Sequence, residues 1–121
     1  GCMAALYTSN SKPDSLKADA YIIYMMVGSY FASCKCDNAI LEKRLFLNYK
    51  DLSLNKQYAR EEKILEKMKK LGEDYFDRFS DMDVLARISF EKGEASILFY
   101  ADKKVILKVR VDKKGSVTFL G

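Results

Sequence analysis

From Leu16 onward the apolar positions recur in steps of three and four, as Leu16, Ala20, Ile23, Val27, Tyr30/Phe31 and Cys34, which is the period of one helix face. Tyr21, Ile22, Tyr24, Met25 and Met26 fill the flanks. The helix predicted over 16–34 therefore has almost no polar side and is central to the fold. Ahead of it, Ser11-Lys12-Pro13-Asp14 has the form of a capping box with proline in the first turn, and residues 1–13 read as a flexible leader or tether. Over 39–50, Ile40/Leu41, Leu45 and Asn48/Tyr49 suit a second helix, although Leu45, Leu47 and Tyr49 also alternate as a strand does. Tyr58, Leu65, Met68 and Leu71 stripe a third helix capped by Asn55, with Arg60, Glu62, Lys63, Glu66, Lys67 and Lys70 on its wet side. Lys69-Lys70-Leu71-Gly72 carries the cations and glycine of a helix stop. A short helix from Glu73 to Phe79 follows.

After Asp83 the period changes to two. VLARISF, ASILFYA, VILKVRV and SVTFL alternate, and Gly, Lys and Asp fill the short loops between them. A correct register must keep the apolar residues of successive strands on one face. A two-residue turn at Lys92-Gly93 sets Phe90 against Ala95 and Ile88 against Ile97. A three-residue loop Asp102-Lys103-Lys104 pairs Ala101 with Val105 and Phe99 with Leu107. A loop Lys113-Lys114-Gly115, with glycine in the left-handed position, pairs Val111 with Val117 and Val109 with Phe119. The expected fold is thus α+β: two or three N-terminal helices, then a four-stranded antiparallel meander packed by one face on the long apolar helix. Residues 14–121 form one domain.

The opposite sheet face mixes apolar and basic residues. Leu98 lies between Arg87 and Lys108, Tyr100 lies between Leu85 and Ile106, and Arg110 follows. Arg87, Leu98, Tyr100, Ile106, Lys108 and Arg110 form a candidate face for a protein partner or a homodimer. Long basic stems covering exposed leucines would account for the same pattern without a partner.

Composition narrows the chemistry. A chain of 121 residues with 49% apolar residues and one proline can build a core. The net charge of +4 falls wholly in residues 84–121, with eight basic and four acidic groups, while the preceding residues cancel. That surplus is small for a nucleic-acid binder, and a single tyrosine is a thin stacking platform. With no histidine, the commonest general base and the commonest zinc nitrogen ligand are both missing. Neither a dinucleotide-binding glycine pattern nor a phosphate-binding loop occurs. No catalytic residue or cofactor is expected. The longest uncharged run, Ala20 to Cys34, is shorter than a membrane span needs.

Three cysteines remain. Cys34-Lys35-Cys36 admits a disulfide, between the two across a helix end or from Cys2 to one of them, a redox pair, inert thiols, or a metal site completed by a second chain or by soft ligands such as Met25 and Met26. An all-cysteine zinc site needs four thiolates and the chain has three. Gly1-Cys2 resembles the last two positions of a bacterial lipobox. That resemblance covers two residues and implies that Cys2 carries a lipid anchor, the only link to a membrane, with the leader as a tether in the periplasm. Alternatively, Gly1-Cys2 is a cloning remnant before Met3 and the protein is cytoplasmic.

Helices ahead of a meander resemble the cones of cystatins and of nuclear-transport-factor-like domains, and also small outer-membrane assembly lipoproteins. The expectation is a non-enzymatic binding or assembly factor that uses the outer sheet face. The alternatives are a small apolar ligand held between the sheet and the long helix, or weak single-stranded nucleic-acid binding.

Overall fold

Residues 15–120 are described in a computed structural model of the chain. The leader, the Ser11–Asp14 capping box and Cys2 lie outside those residues. The element order is α1 (Ser15–Gly28), β1 (Cys34–Cys36), α2 (Ala39–Lys50), α3 (Leu54–Leu71), α4 (Glu73–Asp77), β2 (Val84–Glu91), β3 (Glu94–Ala101), β4 (Lys104–Asp112) and β5 (Val117–Leu120). The architecture is α+β, with helices preceding most of the sheet, as the change of period indicates.

The central helix is shorter than its apolar run. It ends at Gly28, where Ser29 Oγ donates to the Met26 carbonyl at 2.7 Å and the following amides close single turns. This stop frees Phe31 to leave the helix direction and seat against Phe76, Phe79 and Phe99, with ring centroids 5.2–6.1 Å apart. Cys34–Cys36 then forms a fifth strand, paired in parallel with β2, where Cys34 meets Val84 and Cys36 meets Ala86. The ladder extends past the strand's ends. Val84 N–H donates to the Ser33 carbonyl at 2.9 Å, Asp37 N–H to the Ala86 carbonyl at 2.8 Å, and Ile88 N–H to Asn38 Oδ1 at 2.9 Å.

The sheet order β1-β2-β3-β4-β5 contains the expected antiparallel meander. The registers Phe90–Ala95, Phe99–Leu107, Val109–Phe119 and Val111–Val117 are those set by the alternating pattern. The β3–β4 connection differs. It is a two-residue turn, Asp102-Lys103, with φ of 51° and 64°, and it sets Ala101 against Lys104 and Tyr100 against Val105. A bulge after Phe99 restores Leu107 to the core. Paired left-handed residues match the strand twist of a tight hairpin, and the extra residue of the bulge absorbs the slip. Val105 is consequently on the solvent side at 52% exposure, not inside. Ile106 is half-buried against the core and its carbonyl accepts from the Tyr75 hydroxyl, so it leaves the proposed outer face.

Helix α1 packs on β2, β3 and β4 and against α2 and α3. Ile22, Ile23 and Val27 form one buried cluster with Ile97, Phe99, Leu107 and Val109. The face of α3 is rotated from the expected stripe: Ile64 and Met68 are buried, while Tyr58 is 57% exposed. Arg60 accordingly turns inward and its Nε contacts Oδ1 of Asp19, the one buried charged residue among those described.

Candidate functional site

The helices occupy one side of the sheet. On the other, the observed registers give three cross-strand rows: Lys35–Leu85–Tyr100–Val105, Arg87–Leu98–Lys108–Leu120, and Ser89–Ser96–Arg110–Thr118. Leu85 and Leu120 are 46% and 43% exposed, and Leu98, Tyr100 and Lys108 are half-buried. The sequence assigns Arg87, Leu98, Tyr100, Lys108 and Arg110 to this face and the structure brings them together there. Val105 takes the place expected of Ile106.

Where β1 joins, the face folds into a groove of about 310 Å³ lined by Asp37, Asp83, Leu85, Arg87, Tyr100, Asp102 and Lys103. Arg87 donates to Asp37 Oδ2 through Nη2 at 2.6 Å and Nε at 3.1 Å, and its guanidinium sits 5.6 Å from the Tyr100 ring centroid. The Asp37 hydrogen bond and charge hold the guanidinium's pKa above its ordinary value. Both partners are exposed, so the pair fixes the orientation of Arg87 more than it stabilises the fold. Among the described residues, Lys35, Lys108 and Arg110 make no ion pair, while Asp37, Asp83 and Asp102 gather at the groove end of the face. Asp37 and Lys35 escape sequence reasoning because their places depend on β1, a three-residue strand too short to show a period.

Cys34 and Cys36 are free thiols. The disulfide and redox readings assumed a helix end that brings the two together, and the backbone here is extended. Residues two apart on a strand share a face, with Cβ atoms about 6.6 Å apart, whereas a disulfide holds them at about 3.8 Å. Burial, then Cys36 and Glu42, pushes the Cys34 thiol up to about 11. Burial also raises Cys36, with Asn38 partly opposing it. Neither thiol is activated as a nucleophile.

Beside the thiols a cleft of about 360 Å³ lies between α1, α2 and β1, lined by Tyr21, Tyr24, Met25, Gly28, Ser29, Phe31, Cys34 and Glu42. It opens to solvent at the edge of the domain, where α1 meets the β1 edge of the sheet. Burial, followed by the charge of Glu42, raises the Tyr24 hydroxyl far above its ordinary value. Tyr49 donates to Glu61 Oε1 at 2.9 Å, and burial together with that contact pushes it up to about 12.

Among the described residues no three His, Cys, Asp or Glu side chains are grouped to hold a metal ion, and no helix is long and apolar enough to cross a membrane. Comparison with protein-family models, with curated protein sequences and with solved structures gave no match.

Proposed function

We propose that this chain is a non-enzymatic protein-binding module and that the uncovered sheet face is its docking surface. The observation that carries the reading is the pair of rows Leu85–Tyr100–Val105 and Arg87–Leu98–Lys108–Leu120, apolar side chains with the cations Lys35, Lys108 and Arg110 beside them and three carboxylates at the groove end, covered by no element among the described residues. Such a surface suits a partner that presents apolar side chains flanked by carboxylates. Burial of the leucines supplies affinity, and the cations supply orientation and encounter rate.

Photo-cross-linking from Leu98 or Leu120, with Lys69 on α3 as the control position, tests this in extracts of the native source. One discrete adduct should form from the sheet positions and disappear when Lys108→Glu and Arg110→Glu are combined. Adducts of equal yield from Lys69 overturn the reading. A second copy of the chain on the same face would appear as an adduct of twice the chain mass. Retention of single-stranded oligonucleotide that falls steeply with salt would favour the nucleic-acid alternative. The lipid anchor at Cys2, and with it a periplasmic location, is a separate proposal. An intact mass above that of the polypeptide by acyl chains, removed in Cys2→Ala, is its expected signature.

The open cleft favours a second reading, in which a small, largely apolar molecule with a hydrogen-bond donor for Glu42 sits against Tyr21, Tyr24 and Met25. Specific quenching of tyrosine fluorescence by such a compound, absent in Tyr24→Phe, is the corresponding test.

A further inference from the structure

The sheet-face reading leaves the two thiols unused. They stand on edge strand β1, opposite Val84 and Ala86 and on the helix-facing side, both half-buried. The strand pleat, whose spacing is long for a sulfur–sulfur bond, suits a different span. Two metal–sulfur bonds of about 2.3 Å in line cover about 4.6 Å, so thiols with Cβ atoms about 6.6 Å apart need lean only about 1 Å each to grip one ion. Gly28 leaves Cys34 room to do so: a Cβ there would lie 3.3 Å from the Cys34 Sγ. Met25 lines the same cleft as Cys34. No histidine exists in the chain and no cluster of three hard or borderline donors surrounds the pair among the described residues. That donor set is wrong for zinc or the alkaline-earth ions and right for a soft monovalent one.

We propose that Cys34 and Cys36 form a two-coordinate Cu(I) site at the sheet edge, with Met25 available as a third ligand. Binding breaks two S–H bonds and forms two Cu–S bonds. Two protons leave to solvent, the bis-thiolate complex carries one negative charge, and no electron is transferred. The cleft gives the ion a path from solvent without opening the core.

The test uses the full chain carrying Cys2→Ser, so that these are its only thiols, titrated anaerobically with Cu(I) against a chromophoric chelator. One equivalent should bind, with an X-ray absorption first shell made of sulfur alone. Cys34→Ser and Cys36→Ser should each weaken binding at least 100-fold, and Met25→Leu by about 10-fold. Silver(I), added to the Cys2→Ser protein alone, gives a readout that needs no change at Cys34 or Cys36: one equivalent should raise the melting temperature. Retained affinity in either serine variant, a shell of nitrogen or oxygen, one copper per two chains, or no silver-induced shift overturns the proposal.

Discussion

Asp19 and Arg60 are the residues whose roles differ most from what their neighbourhoods in sequence suggest. Asp19 lies on the same side of α1 as Leu16 and Ile23, and only its charge disguises it as a core position. Burial pushes its carboxyl up to about 6, with Arg60 pulling it partway back. The unfolded chain loses that proton near pH 4. Between about pH 4 and 6 the folded state therefore binds more protons, and stability falls as pH rises through that window. Asp19→Asn lacks this dependence. In urea titrations the native chain should gain on the variant by up to about 3 kcal/mol between pH 7 and pH 4, whereas a constant difference refutes the assignment. Arg60→Leu should cost about 3 kcal/mol at pH 7, because it strands a buried carboxylate, and most of the loss should return at pH 5 as Asp19 takes a proton. Helical spacing identified α3 as a helix but not which side faces in, since a stripe of Tyr58, Leu65 and Met68 fits the period as well as Ile64 and Met68 do.

At the scale of elements, strength of period decided what was legible. Long alternating runs in β2, β3 and β4 define their own pairing, and α2 has the bounds 39–50 that its spacing predicts. β1 was not legible, because three residues carry no period and its partner lies fifty positions downstream. Its attachment rests partly on Asn38, whose side-chain oxygen continues the ladder to Ile88. Asn38→Ala should cost about 1–2 kcal/mol by leaving that amide unpaired, while Asn38→Asp, which keeps an acceptor, should retain most of the stability in urea unfolding. The β3–β4 turn invites the opposite change. Asp102 and Lys103 hold left-handed conformations without glycine. Asp102→Asn with Lys103→Gly should add about 1 kcal/mol, raising the melting temperature by about 4 °C.

In the whole molecule, one sheet separates two environments. Residues of the same strand, one position apart, answer to different demands: Leu107 fills the core, while Lys108 belongs to the bare face. Leu107→Ala should lose about 2–5 kcal/mol. Leu98→Glu, between Arg87 and Lys108, should change stability by no more than about 1 kcal/mol while abolishing any face-specific adduct, as circular-dichroism melts and cross-linking would report. Alternation revealed both faces, but what docks on one of them is a property of a second molecule and leaves no period in this one.

The parallel strand also sets an order of events. The meander closes through consecutive hairpins, whereas β1 must wait for β2 to exist before it has anything to pair with. Loop closure over that separation costs entropy that only late contacts offset. β1 should accordingly be among the last segments to form and the first to open, and amides of residues 34–37 should exchange with deuterium sooner than those of β3. The thiol pair is thus carried on the part of the sheet that opens first, so the spacing between Cys34 and Cys36 is held only while that edge stays paired with β2.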